Sequence, residues 1–192
     1  TKDGKEMGRA QVVQAEASGL EPDVNMNPIL LKPSTMNKIQ IIVCGKSIGN
    51  MSGVEYNQYK KNLIPILKET YFKIESENDI VVIEGAGSPA EINIKEEDIS
   101  NFAMARIADA PVILVADIDR GGVFASIYGT IMLLNEEDRK RIKGIVINKF
   151  RGNKEVLKPG FEIIENLTGV KTLGVIPHTD IDIEDEDSLS EK

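Results

Sequence analysis

Cysteine is nearly absent from this sequence. Cys44 is the only one, which excludes an intramolecular disulfide framework and fits a reducing cytoplasm. Histidine is equally scarce, with His178 alone. Cys44 ends the apolar run Ile41-Ile42-Val43 and reads as a small strand residue, because a nucleophilic thiol needs a base beside it and one histidine is all there is. Positive charge is short as well. The formal net charge is −8, which argues against a nucleic acid or an anionic membrane surface as partner. No apolar run approaches the roughly 20 residues that span a bilayer, and no signal-type segment opens the chain, so the expected location is the cytoplasm.

What is present is ordinary for a globular domain: 192 residues, 41% apolar and 28% charged. A chain of that length buries roughly 70% of its unfolded surface in a single core. The acidic excess gathers at the end, where residues 180–191 hold seven acids and read as a solvated tail or linker. The expected division is one domain over residues 1–179 and an acidic linker over 180–192.

Residues 4–18 repeat at three- and four-residue steps, which predicts a helix. Asn27-Pro28 and Lys32-Pro33 then break helix ahead of a strand over 39–44. From there the pattern alternates regularly. Helices are predicted near 54–72, 99–108, 124–134 and 154–167, with strands at 80–83, 111–116, 144–147 and 172–176. The strands are short runs of Ile, Val and Leu. Runs of that kind are buried on both faces, and with helices between them they predict a parallel, doubly wound α/β sheet. Ligands of such sheets bind beyond the carboxyl ends of the strands, so the residues there are the candidates.

Ile80-Val81-Val82-Ile83 runs into Glu84-Gly85-Ala86-Gly87. An acid at a strand tip can hold Mg²⁺ against phosphates, and the glycines let backbone approach a ligand; the plain alternative is a solvated acid before a turn. Asp117-Ile118-Asp119-Arg120-Gly121-Gly122 follows the next strand. Its arginine can grip a phosphoryl group in bidentate fashion, and the glycines open a helix whose amides favour anions. Asn148-Lys149-Phe150-Arg151 follows a third strand. Its amide offers the donor and acceptor that a purine edge needs, or it caps a helix. Gly45-Lys46-Ser47 imitates the end of a phosphate-binding loop, but the position five before Gly45 is Gln40 and the loop's first glycine is missing.

Taken in order, Gly8-Arg9-Ala10-Gln11, Gln14-Ala15-Glu16-Ala17, residues 26–33, Gly49-Asn50-Met51, residues 84–93, residues 117–126 and residues 148–152 resemble the cobyric acid synthases, of the dethiobiotin synthetase-like group of P-loop amidoligases. The resemblance covers roughly residues 4–178. It implies a P-loop NTPase-like sheet whose first strand and phosphate loop lie upstream of Thr1, and a glutaminase domain of the same full-length chain downstream. On that reading the chain is truncated at both ends and inactive by itself.

The implied reaction belongs to cobalamin biosynthesis: ATP- and glutamine-dependent amidation of adenosylcobyrinic acid a,c-diamide, through an acyl phosphate. The resemblance implies Glu84 as the Mg²⁺ ligand and as catalytic, with Asp119 and Arg120. It implies Asn148, Lys149 and Pro177 at the nucleotide, Arg9, Gln11, Gln14 and Glu16 toward the corrinoid or the γ-phosphate, and Ser88, Glu91 and Asn93 toward the corrinoid. The implied cofactors are ATP and Mg²⁺; oligomeric state stays open, a homodimer included. Two rivals remain: a dethiobiotin synthetase-type ligase, which needs no glutaminase, and a partition-type ATPase, which needs an amphipathic or basic surface segment that is not evident.

Overall fold

The computed structural model describes residues 1–34, 38–93, 98–119 and 121–180. The acidic stretch expected as a linker lies, after Asp180, outside the described residues, as does Arg120. The chain divides into two compact units, Thr1–Ile83 and Glu84–Asp180.

The first unit opens with helix α1 (Arg9–Ala17), shorter than the periodicity over 4–18 predicts. A 3-10 turn (Val24–Met26) leads to three antiparallel strands, β1 (Ile29–Pro33), β2 (Ile39–Val43) and β3 (Lys46–Met51), in the order β1-β2-β3. This corrects two expectations. The Pro-flanked stretch 29–33 is itself a strand, and the strand expected over 39–44 belongs to an antiparallel hairpin, not to the parallel sheet.

The reason lies at Cys44-Gly45, which both take left-handed backbone, φ 46° and 78°. Two such residues in succession make the tight turn whose twist matches a hairpin. Gly45 also packs so closely beneath Lys5 and Val24 that a side chain there would collide. Gly45-Lys46-Ser47 is therefore hairpin and not phosphate loop, as its missing glycine indicates. Ile41 and Ile42 are both fully buried at a register shift in which Ile48 is the extra residue of β3.

Helix α2 (Gly53–Tyr59) starts on a reciprocal cap between Ser52 and Glu55. A 3-10 turn (Lys60–Leu63) then joins it to α3 (Ile64–Glu77), so the single helix expected over 54–72 is two. Pro65 explains the break: it sits in the first turn of α3, where a missing N–H costs nothing.

The second unit holds the parallel sheet. Its elements are α4 (Phe102–Ile107), β4 (Val112–Asp117), α5 (Val123–Leu133), α6 (Glu136–Arg141), β5 (Ile142–Phe150), α7 (Lys158–Thr168) and β6 (Thr172–Pro177). The strands lie in the order β4-β5-β6, all parallel. Ile127 and Ile131 of α5, Ile164 of α7, and Ile145 and Ile147 of β5 form the buried centre, with Phe124 meeting Phe161 edge-on at 6.4 Å. On the sheet's other face Ile113, Val115 and Leu173 stay about half exposed.

Helix α6 was not foreseen. It is Glu-Glu-Asp-Arg-Lys-Arg, acids first and bases last, as the helix dipole favours. Arg139 donates to the carbonyls of Ile131, Met132 and Leu134 and so closes the end of α5.

The apolar run 80–83 is a further correction. It is not a strand: Ile80 is 81% and Val82 90% exposed. A strand exists only through its ladder partners, and apolar composition supplies none.

Candidate active site

The carboxyl ends of β4, β5 and β6 gather the polar tips. Asp117, the last residue of β4, lies opposite Asn148 of β5. The Ile118 N–H continues the ladder one step, donating to the Asn148 carbonyl at 3.1 Å. Phe150 pairs with Pro177, and the His178 N–H donates to the Phe150 carbonyl at 2.9 Å. Asp119, Asn148, Lys149 and Pro177, expected from three separate segments, thus belong to one end of one sheet.

Side-chain contacts tie these tips together. Asp117 Oδ1 accepts the Asp119 N–H at 2.8 Å, while its Oδ2 meets Lys149 Nζ at 2.8 Å. Arg151 Nε reaches Asp119 Oδ1 at 3.4 Å. Asn148 Oδ1 accepts the Lys149 N–H at 2.9 Å. Lys149 holds a φ of 61°, left-handed backbone that few residues other than glycine adopt and that tends to occur at functional sites. Gly121 and Gly122 are also left-handed, at 75° and 69°, and turn the chain into α5.

Glu84 is exposed and opens the second unit, followed by the glycine turn. Asn101 holds that turn: its Nδ2 donates to the Ala86 carbonyl at 2.9 Å, and its Oδ1 fills the space that a Cβ on Gly85 would need. Asp98 in turn fixes Asn101, one oxygen accepting the Ser100 and Asn101 N–H groups at 2.9 and 2.8 Å and the other the Ala103 N–H at 3.1 Å. Ser88, Glu91 and Asn93 are exposed in the turns that follow, where Ser88 Oγ accepts the Ala90 N–H at 3.2 Å.

Arg9, Gln11, Gln14 and Glu16 lie on α1, in the first unit. At about 100° per residue, Arg9 and Glu16 share one side of the helix and Gln11 and Gln14 another. The Gly8 N–H that starts α1 donates to Asn27 Oδ1 at 2.9 Å, and Gln11 Oε1 folds over the Gly8 α-carbon.

Among the described residues no three His, Cys, Asp or Glu side chains cluster as a metal cage. Mg²⁺ asks for less: one or two carboxylates, with phosphate oxygens and water completing the shell. Glu84, exposed before a glycine turn, fits that part. An open cleft of about 640 Å³, lined by Asp109, Pro111, Glu136, Lys140, Arg141 and Lys143, lies where β4 and β5 begin, the end opposite the tips. No helix of the described residues is long and apolar enough to cross a membrane.

A family model described as an AAA domain matches residues 53–184, more than two thirds of the chain and all of the sheet just described. The chain belongs to this AAA-domain family. Cobyric acid synthases are similar to the AAA-domain chain along almost all of it. The protein of that name from Streptococcus sanguinis (strain SK36) is 60% identical over 190 residues, 99% of this chain and 38% of the relative. That from Limosilactobacillus reuteri (strain DSM 20016) is 62% identical over 99% of this chain and 38% of its own length. That from Ruminiclostridium cellulolyticum is 58% identical over 100% of this chain and 37% of its own. The chain therefore spans less than two fifths of the curated relatives it matches. No solved structure matches it.

At the candidate site, three contacts of the AAA domain escape sequence reasoning: those of Asp98, Asn101 and Arg151. Asp98 and Asn101 sit in an Asp-Ile-Ser-Asn stretch with the composition of a helix start, and nothing local ties them to Gly85, 13 or more residues earlier. Arg151 is visible as a charge after β5, but its partner Asp119, in the turn after β4, is not.

Proposed function

We propose that this AAA domain is the ATP-handling part of an enzyme of cobalamin biosynthesis, amidating side-chain carboxylates of adenosylcobyrinic acid a,c-diamide to give adenosylcobyric acid. The observation that carries the reading is the 58–62% identity to cobyric acid synthases along 99% or more of the chain. The polar tips of β4, β5 and β6, at the end of a parallel sheet where ligands bind, support it.

A carboxylate is a poor electrophile, and its oxygen must first attack the γ-phosphorus of ATP, with ADP leaving. Ammonia released from glutamine by a glutaminase part of the complete protein then attacks the acyl carbon. Phosphate departs with the electron pair of the broken C–O bond, and the amide remains once the nitrogen loses a proton. Glu84 would hold Mg²⁺, whose charge would offset that of the phosphoryl group, an effect worth several kcal/mol. Asp119 and Arg120 orient the phosphoryl group or the substrate carboxylate. Asn148, Lys149 and Pro177 border the nucleotide, Ser88, Glu91 and Asn93 border the corrinoid, and α1 adds one of its two polar sides, Arg9 with Glu16 or Gln11 with Gln14.

The test is mass spectrometry of the corrinoid diamide incubated with the complete protein, ATP, Mg²⁺ and glutamine. The expected outcome is a mass gain for each amidation that disappears without ATP and in Glu84→Gln. No gain beside an active control enzyme refutes the reading.

A further inference from the structure

Four charged residues form a circuit at the tips of β4 and β5, closed through the backbone segments that carry them. Lys149 Nζ holds Asp117 Oδ2 at 2.8 Å, Asp117 Oδ1 takes the Asp119 N–H at 2.8 Å, and Asp119 Oδ1 faces Arg151 Nε at 3.4 Å. The two cations stand two residues apart on one chain segment, and so do the two acids on the other. The circuit is electrically neutral.

Asp119 is the member with least support of its own. It lies beyond the last ladder bond, which ends at Ile118, in a turn between β4 and the left-handed glycines. Its backbone is tied to Asp117 and its carboxylate to Arg151. Asp117 is tied in turn to Lys149, whose left-handed backbone departs from the regular pairing of β5 with β6, where the register shifts between Ile147 and Phe150. The β5 tip thus holds the β4 tip through side chains at the point where the backbone ladder stops.

We propose that Arg151 is a positioning residue: it holds the Asp119 carboxylate in its working orientation, with Lys149 steadying Asp117 beneath it, and its guanidinium does not contact nucleotide or substrate. The proposal rests on the reading of Asp119 as a catalytic group given above. Arg151 is 62% and Asp119 49% exposed. An exposed pair of this kind is worth up to about 1 kcal/mol, and releasing it should lower kcat about 5-fold.

The complete protein is assayed as wild type, Asp119→Ala, Arg151→Ala, Arg151→Gln, Arg151→Lys and the Asp119→Ala/Arg151→Ala double variant. Initial rates are taken against ATP and corrinoid, with Tm read for each. Arg151 is exposed, so its truncation leaves no cavity, and the glutamine variant serves if the alanine one fails to fold.

The expected result is a roughly 5-fold fall in kcat at unchanged KM for ATP in Arg151→Ala and Arg151→Gln, with recovery in Arg151→Lys. The double variant should be no slower than Asp119→Ala alone, because Arg151 then has nothing left to position. A raised KM at unchanged kcat, or additive losses in the double variant, would overturn the proposal, since either means direct contact with a ligand. Wild-type kcat in Arg151→Ala beside a slow Asp119→Ala overturns this proposal alone. A fully active Asp119→Ala overturns the catalytic reading of Asp119 and the proposal with it.

Discussion

Arg106 and Asp138 form an ion pair between α4 and α6 in which burial is unequal. The Asp138 side chain is 2% exposed and that of Arg106 39%. Asp138 Oδ2 also accepts from Asn135 Nδ2 at 2.8 Å, and Asn135 Oδ1 accepts the Asp138 N–H at 2.8 Å. Removing either partner breaks the same contact, yet the two losses should differ. Arg106→Ala leaves a carboxylate stranded where water does not reach, and breaking a buried pair this way costs about 3–5 kcal/mol. The surviving Asn135 bond puts the expected loss near the lower end, about 3 kcal/mol.

Asp138→Ala removes the buried charge itself. Arg106 and the exposed Asn135 amide can then both turn to water, and what is lost is the net value of the two contacts that Asp138 made, about 2 kcal/mol together. The arginine variant should therefore be the weaker by about 1 kcal/mol, which for a chain of this size is about 2–4 °C in Tm. In the double variant, removing Arg106 should add little once Asp138 is gone. Urea unfolding followed by far-UV circular dichroism reads this, the chain having no tryptophan. Equal losses, or a larger loss in Asp138→Ala, would refute the argument from unequal burial.

Three other outcomes are expected. Gly85→Ala places a methyl on Asn101 Oδ1 and breaks the Asn101 bond to Ala86; displacing the Glu84 turn should slow the amidation proposed above about 10- to 100-fold in initial-rate assays of the complete protein. Gly129, inside α5 with open space about it, should tolerate alanine with a gain of up to about 1 kcal/mol, whereas Gly160→Ala meets the Phe124 ring and should lose about 1–3 kcal/mol in urea midpoints. The Glu55 carboxylate accepts the Ser52 N–H and Oγ–H, which holds its pKa below the ordinary value. A folded pKa below the unfolded one means a contribution that is whole above the unfolded value and lost as pH falls through the folded one. Glu55→Gln should thus flatten the acid side of the stability profile below about pH 5, and an unchanged profile would refute this.

The run from β4 to β6 was legible because its strands pair with one another and are packed on one face by the chain's own crossover helices. Val112–Asp117 and Ile142–Phe150 pair with each other, so apolar composition and structure agree. Residues 80–83 have the same composition and no ladder, which composition cannot reveal. The hairpin at Cys44-Gly45 was misread because cysteine is not a turn former; only its backbone angles identify the turn. Helix α6 has no apolar face for periodicity to find, and its evidence is charge order after the Asn135 cap. At the candidate site, the rule of strand ends located Asp119, Asn148 and Pro177. The contacts of Arg151 with Asp119 and of Asn101 with Ala86 join residues 32 and 15 apart, and pairing at that range depends on the fold.

The same hairpin turns a scarcity into an experimental handle. Its thiol is the only one in the chain and is half-buried, so a thiol reagent has one target and needs the turn to loosen before it reacts. With Gly45 packed beneath Lys5 and Val24 and its carbonyl bonded to the Glu6 N–H at 3.0 Å, loosening means lifting the N-terminal segment. The modification rate of Cys44 is then a clock for local opening of the Thr1–Ile83 unit. It can be read in this 192-residue chain without substitution, while the Arg106 and Asp138 variants report on the other unit.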